Sequence, residues 1–258
     1  MLRLLLFFFS VIPLYLQANS SIDIKPEIGI FLPEIKGTIT NTLGTSNFQK
    51  DYEYNKATAS FFSLDIDIHK DYIPNLYISY LNLKTNRDTK LTKSVKVADG
   101  DFNSSISTYT DYSIINAIIY QDFMQKGAFK TIFGHSFYTG DLEFDIGLNT
   151  KLVKWHFEVE DKVDLTKSLS WIDAGLVVPI PYLGVKYYLY NLSLYANISA
   201  LSVSEAKLLS YQIGADYRIV QSIYLSASYL YENFEAIEQD DTINFTASGY
   251  KFSFKYKF

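Results

Sequence analysis

From residue 19 onward this chain sets apolar side chains at every second position, opposite charged or small ones, in stretches of about ten residues broken by turn residues. A period of two belongs to an extended strand with one oily face and one wet face, and no amphipathic helix produces it. Phe62, Leu64, Ile66 and Ile68 share one face, with Ser63, Asp65, Asp67 and His69 on the other. Between Leu142 and Lys154 the same grammar sets Phe144, Ile146 and Leu148 against Glu143, Asp145, Gly147 and Asn149. It continues with Leu192, Leu194, Ala196 and Ile198 against Ser193, Tyr195, Asn197 and Ser199. Tyr211, Ile213, Ala215 and Tyr217 then oppose Gln212, Gly214, Asp216 and Arg218. Ile223, Leu225, Ala227, Tyr229 and Tyr231 interleave with Tyr224, Ser226, Ser228 and Leu230.

Aromatic residues make up 17% of the chain, almost all of them Tyr (22) and Phe (19). That exceeds what a water-soluble core needs and suits a protein wearing aromatic girdles at two membrane interfaces. The N-terminus agrees: Arg3 supplies a positive charge, Leu4 to Leu16 is nearly all apolar, and Ala18 precedes the polar Asn19-Ser20-Ser21. This reads as a secretory signal over residues 1–18, because Pro13 and the early polar stop leave too few residues for a spanning helix. No later apolar run approaches the roughly 20 residues such a helix needs. The remaining residues, 19–258, are therefore expected to form one domain, an all-β, transmembrane, antiparallel up-and-down barrel. A periplasmic lipid-binding β-protein is the weaker alternative.

Strands are predicted near 22–40, 57–69, 76–84, 106–121, 142–158, 181–189, 192–203, 208–219, 223–236 and 244–258. Ten is an even number, as bacterial single-chain barrels have when both termini lie on the periplasmic side. Asp71 to Asn75, Tyr190-Asn191 and Val220 to Ser222 read as short turns at that end. Thr42 to Asn55, Thr85 to Ser105 and Glu160 to Pro179 read as long loops at the other. Asp122 to Asp141 breaks the rule, being long at the short-turn end, and Phe129 to Phe137 has room for two further short strands. The count is thus bracketed between 8 and 12.

Tyr250, Phe252, Phe254, Tyr256 and Phe258 occupy every second position up to the C-terminal Phe, with Lys251, Ser253, Lys255 and Lys257 between them. On an unpaired soluble edge strand five exposed aromatics would invite aggregation. The stretch resembles the C-terminal strand signature of outer-membrane barrels, and that resemblance implies recognition by the barrel-assembly machinery. More broadly the chain resembles an uncharacterised family of small proteobacterial outer-membrane β-barrel proteins. The matching stretches are Pro26-Glu27-Ile28-Gly29 through Gly37-Thr38-Ile39, Ile73-Pro74-Asn75-Leu76, Thr110-Asp111 with Ile118-Ile119-Tyr120, Leu142 to Leu148, and Val178-Pro179-Ile180-Pro181-Tyr182. Met124 to Gly140 stands as an insertion against that pattern. The resemblance implies a Gram-negative outer-membrane location among lipid, and no substrate.

Small or polar residues are expected to line the inside. The inward charges are Asp65, Asp67, Glu143, Asp145 and Asp216 against Lys151, Lys186, Arg218, Lys251, Lys255 and Lys257. Buried charges need partners or water, so in a narrow lumen they form either a salt-bridge ladder that fills it or a hydrated path for small polar solutes. The expected function is accordingly an integral, porin-like outer-membrane barrel, monomeric, serving as a scaffold or a narrow channel.

Chemistry finds little footing. There is no cysteine, hence no disulfide and no thiolate site. A net charge of −5 argues against a nucleic-acid partner. No nucleophile elbow, phosphate-binding Gly loop or zinc helix occurs, and no cofactor or metal is expected. A rim enzyme acting on lipid or peptide is the alternative, with His156 beside Glu158 and Glu160 as its best base. His69 belongs to the wrong rim, and His135 lies in the ambiguous insertion. Asp240-Asp241 and Asp99 with Asp101 lack the spacing of a calcium loop and read as solvated loop charge.

Overall fold

The computed structural model describes residues 22–41, 44–54, 56–68, 72–91, 94–97, 100–102, 105–132, 135–163, 170–203, 206–238 and 241–258. The predicted signal at 1–18, His69, Asp99 and Asp240 lie outside the described residues. Ten long strands run β1 Ile22–Asn41, β2 Ala59–Ile68, β3 Asn75–Lys90, β4 Ser105–Gln125 and β5 Asp141–Asp161. They continue as β6 Ser170–Leu189, β7 Leu192–Ser202, β8 Ala206–Val220, β9 Ile223–Glu238 and β10 Asp241–Tyr256. Each pairs antiparallel with its sequence neighbours, and β10 pairs with β1 from Glu27↔Lys255 to Thr40↔Thr242. The sheet therefore closes into an up-and-down barrel with no free edge at the seam.

The ring holds ten strands, and the segment after Gln125 does not change it. Phe129–Ile132 and His135–Tyr138 form a small separate hairpin at the end of the barrel where the chain termini lie. Several strands are longer than the pattern predicts: β3 continues to Lys90 and β6 starts at Ser170, inside what reads as a loop.

The extra length has a cause, and it corrects the expectation that small or polar residues line the inside throughout. Near the termini, β5 points Glu143, Asp145, Gly147 and Asn149 inward and exposes Phe144, Ile146 and Leu148. Beyond Leu152 the polarity reverses. Val153, Trp155, Phe157 and Val159 are buried inward, whereas Lys154 and Glu160 are exposed. In β1 the inward set likewise passes from Lys25 and Glu27 to Phe31, Ile35 and Ile39, while the outward set passes from Ile28 and Ile30 to Glu34 and Lys36. A strand that reverses its oily face is crossing from hydrocarbon into water, because burial in a core and contact with lipid demand opposite faces. The terminus half is thus a lipid-belted barrel with a polar inside, and the loop half is a turret with an apolar inside.

Aromatic rings mark the outside of this boundary. Tyr211 stacks on Tyr231 at 4.8 Å, and Tyr229 meets Tyr250 edge-on at 5.7 Å. Tyr217, Tyr256 and Phe123 occupy the opposite border. These are the two girdles anticipated for a membrane barrel.

The turret core is sealed by chain that reads as outward-facing loop. A short strand, Gly44–Asn47, folds back on the end of β1, and the turn after it carries Phe48, Tyr52 and Tyr54 into full burial. Phe48 lies edge-on to Trp155 at 5.9 Å and to Phe157 at 5.4 Å, and Trp155 stacks on Phe157 at 5.6 Å. Trp155 Nε1 donates to Thr110 Oγ1 at 3.1 Å, and the Tyr52 hydroxyl donates to Ser46 Oγ at 2.9 Å, so these polar tips remain bonded inside the core.

Candidate functional site

The terminus half of the lumen gathers the charges that alternation sends inward. Lys25 on β1 ion-pairs with Asp67 and lies 4.0 Å from Asp65, both on β2. The Tyr120 hydroxyl stands 2.9 Å from Asp65 and 3.0 Å from Asp67. Across the barrel Lys186 Nζ donates to Glu143 at 2.7 Å and stands 3.2 Å from Asp145, while the Tyr188 hydroxyl donates to the other oxygen of Glu143 at 3.0 Å. Lys255 meets both oxygens of Asp216, at 2.9 and 2.8 Å. Glu27 accepts hydrogen bonds from Ser63 at 2.8 Å and from Ser253, with Lys251 3.7 Å away. Ammonium groups thus answer carboxylates across the lumen, as charges removed from water require.

Aromatic faces share the task. Lys251 sits over the ring of Phe61 at 3.7 Å, Lys255 over Tyr195 at 5.1 Å and Lys186 over Tyr120 at 5.3 Å. Gly214 makes room for one of these rings, since a Cβ there would come within 2.7 Å of the Tyr195 hydroxyl and 2.5 Å of Ser228 Cβ.

Deeper in, Lys151 donates to Glu232 at 2.6 Å with both side chains almost wholly buried, and Ser210 adds a bond to Glu232 at 2.8 Å. At a similar depth Asn149 donates to Asn116 at 3.2 Å, and Asn116 donates to Ser79 at 3.1 Å. Phe61, Leu81 and Ile114 begin the apolar core above this layer.

The lumen is not filled to its rim. A cavity of about 410 Å³ runs from Asp23, Asp122 and Lys257 at the terminus end to a floor at Phe61, Leu81 and Ile114. The aromatic turret core stands between that floor and the loop end.

Of the residues expected in the charge network, Asp65, Asp67, Glu143, Asp145, Lys186 and Asp216 lie together around this cavity or against its wall. Lys151 belongs to the separate, deeper pair with Glu232. Arg218 is the correction: it bonds the side chain of Asn191 at 3.2 and 2.8 Å on the exposed rim, because it stands two residues before the end of β8, next to the turn. Asp23, Lys25, Glu27 and Glu232 also line this cavity, and the sequence reading missed them. Asp23, Lys25 and Glu27 alternate with Ile22, Ile24 and Ile28, so the signal was present in β1, interrupted by Pro26. Glu232 lies at the reversal, where alternation no longer says which side is wet.

The C-terminal aromatics Tyr250, Phe252, Phe254 and Tyr256 all project from the outer belt, and Lys251 and Ser253 between them are buried inward. His156 points out of the turret wall, 3.4 Å from Glu158, with the Tyr109 ring 6.0 Å away. It does not reach the lumen charges. Among the described residues no group of three or more His, Asp or Glu is arranged to hold a metal ion.

No family model matches this chain, and no curated protein is similar to it in sequence. Solved structures resemble it as barrels. The translocator domain of the autotransporter NalP from Neisseria meningitidis has 14% identity over 97% of this chain and 93% of that one, with a TM-score of 0.41. Ail, the attachment invasion locus protein of Yersinia pestis, has 8% identity over 92% and 99%, with a TM-score of 0.37. The CymD monoaromatic hydrocarbon channel has 9% identity over 94% and 90%, with a TM-score of 0.32. Likeness at this level transfers neither ligand nor activity to this chain.

Proposed function

We propose that this protein is a monomeric, non-conducting barrel of the Gram-negative outer membrane. On this reading a scaffold holds a β-walled turret above the outer leaflet and a blind polar cavity toward the periplasm. The observation that carries the proposal is the reversal of polarity along β1 and β5, which gives one barrel a lipid belt and then a polar outer wall around an apolar core. Phe48, Tyr52, Trp155, Phe157 and Phe245 obstruct the path that a solute would follow. The channel form of the function would need that packed cluster to move. Residues 1–18 then serve export, and the C-terminal aromatic strand serves recognition by the assembly machinery.

Planar-bilayer recording of the purified, heat-modifiable monomer is the test. Silence is expected, and steady single-channel steps would overturn the closed reading. Catalysis is not part of the proposal: His156 has Glu158 and Tyr109 beside it on the outer wall, an arrangement of a solvated surface pair. Phospholipid or peptide turnover that disappears in His156→Ala would reverse that part.

A further inference from the structure

The blind cavity has a chemistry of its own. Its described lining contains eight carboxylates against five lysines, an excess of three negative charges. Charge alone does not make a site, and a second observation bears on what it takes. Asn149 is 3% exposed and lines the cavity, yet its Oδ1 has no hydrogen-bond partner. Asp145, 1% exposed behind the same wall, is by contrast ion-paired with Lys186 Nζ at 3.2 Å. The orphaned Asn149 oxygen is an acceptor, so the group that would complete it is a donor. The site also selects one kind of donor from within the chain. Lys25, Lys186 and Lys255 each place an ammonium against carboxylates here, and Lys186 and Lys255 place theirs over tyrosine rings as well.

We propose that this cavity binds a small organic ammonium ion, taken from the terminus end, with Asn149 and the Asp65–Asp67 pair among its acceptors. A metal ion fits less well, because no group of three or more ligating side chains forms among the described residues. An anion would meet the excess of negative charge. At about 410 Å³ the cavity suits a small molecule and excludes a folded partner.

The test is calorimetric titration of the full barrel in detergent micelles with putrescine, alongside 1,4-butanediol and succinate as neutral and anionic analogues of matching length. Saturable binding of putrescine alone is expected, weakened by added salt. Loss of one charge-assisted bond in Asp65→Asn should weaken it about tenfold. Asn149→Ser, which keeps a smaller polar group, should weaken it less. Heat-modifiability on gels identifies variants that have folded. No saturable heat with putrescine on the unaltered protein would overturn the assignment, as would equal binding of butanediol or succinate. A barrel that conducts and still binds putrescine would refute closure and leave this site standing.

Discussion

The two halves of this barrel solve the same packing problem with opposite faces. In the terminus half, hydrocarbon takes the apolar side chains, and the lumen must satisfy charges by pairing Lys25, Lys186 and Lys255 with carboxylates. In the turret, water lies outside, so the apolar set turns inward and Trp155, Phe157 and Phe48 make an aromatic core like that of a soluble protein. The lesson is that strand alternation reports which side is wet. It does not say whether the oily side faces in or out.

The comparison is broken most forcefully at the turret core. Trp155→Ala should cost about 3–5 kcal/mol in urea unfolding from micelles, since it empties a fully buried, stacked position. A cost near that of Leu148→Ala on the lipid face would mean that the turret is not a packed core.

At the boundary, Lys151→Ala strands Glu232 among buried groups, and a loss of about 3 kcal/mol is expected. The paired replacement Lys151→Met with Glu232→Leu should recover most of it. If the double variant is no more stable than the single one, the pair does more than neutralise itself.

Next in size, Ile146→Arg sets a charge in the middle of the belt, where about 2–4 kcal/mol is the usual penalty. The same residue introduced by Glu160→Arg on the turret exterior should change stability by less than about 0.5 kcal/mol. Equal costs at the two positions would erase the distinction between lipid-facing and water-facing walls.

The smallest effect concerns pH. Hydrogen bonds from Lys162 and Ser107 hold the exposed Asp88 carboxyl below the usual carboxylate range at the top of β3. A depressed folded pKa contributes stability above the unfolded value near pH 4 and loses it as pH falls through the lower, folded value. Protection of amides from exchange at the β3–β4 tip, relative to their intrinsic rates, should therefore fall on acidification below roughly pH 4. Asp88→Asn should flatten that response while leaving exchange in the belt unchanged.

Much of the fold was legible because lipid leaves a strict code. Period-two stretches such as Leu142 to Leu148 and Tyr250 to Phe258 identify strands, and their number and the short turns gave ten in up-and-down order. The same logic placed Asp65, Asp67, Glu143 and Lys186 in one lumen. It failed where its premise changed. β3 from Thr85 lies in the turret, and its exposed Asn86, Asp88 and Lys90 made it read as a loop; β6 likewise starts at Ser170, inside the expected loop. Phe48, Tyr52 and Tyr54 gave no periodic signal, because a loop folded into a core has no face to repeat.

By itself, then, the sequence determined the strand period, the closure into a membrane-type barrel and the sign of the residues turned inward along the belt. These follow from local alternation and the need to satisfy every backbone group in lipid. Only the tertiary structure decided where the belt ends, which loop seals the core, and which ammonium meets which carboxylate. Those outcomes depend on register between strands distant in sequence, such as Glu27 on β1 and Ser253 on β10, and no local pattern carries that information.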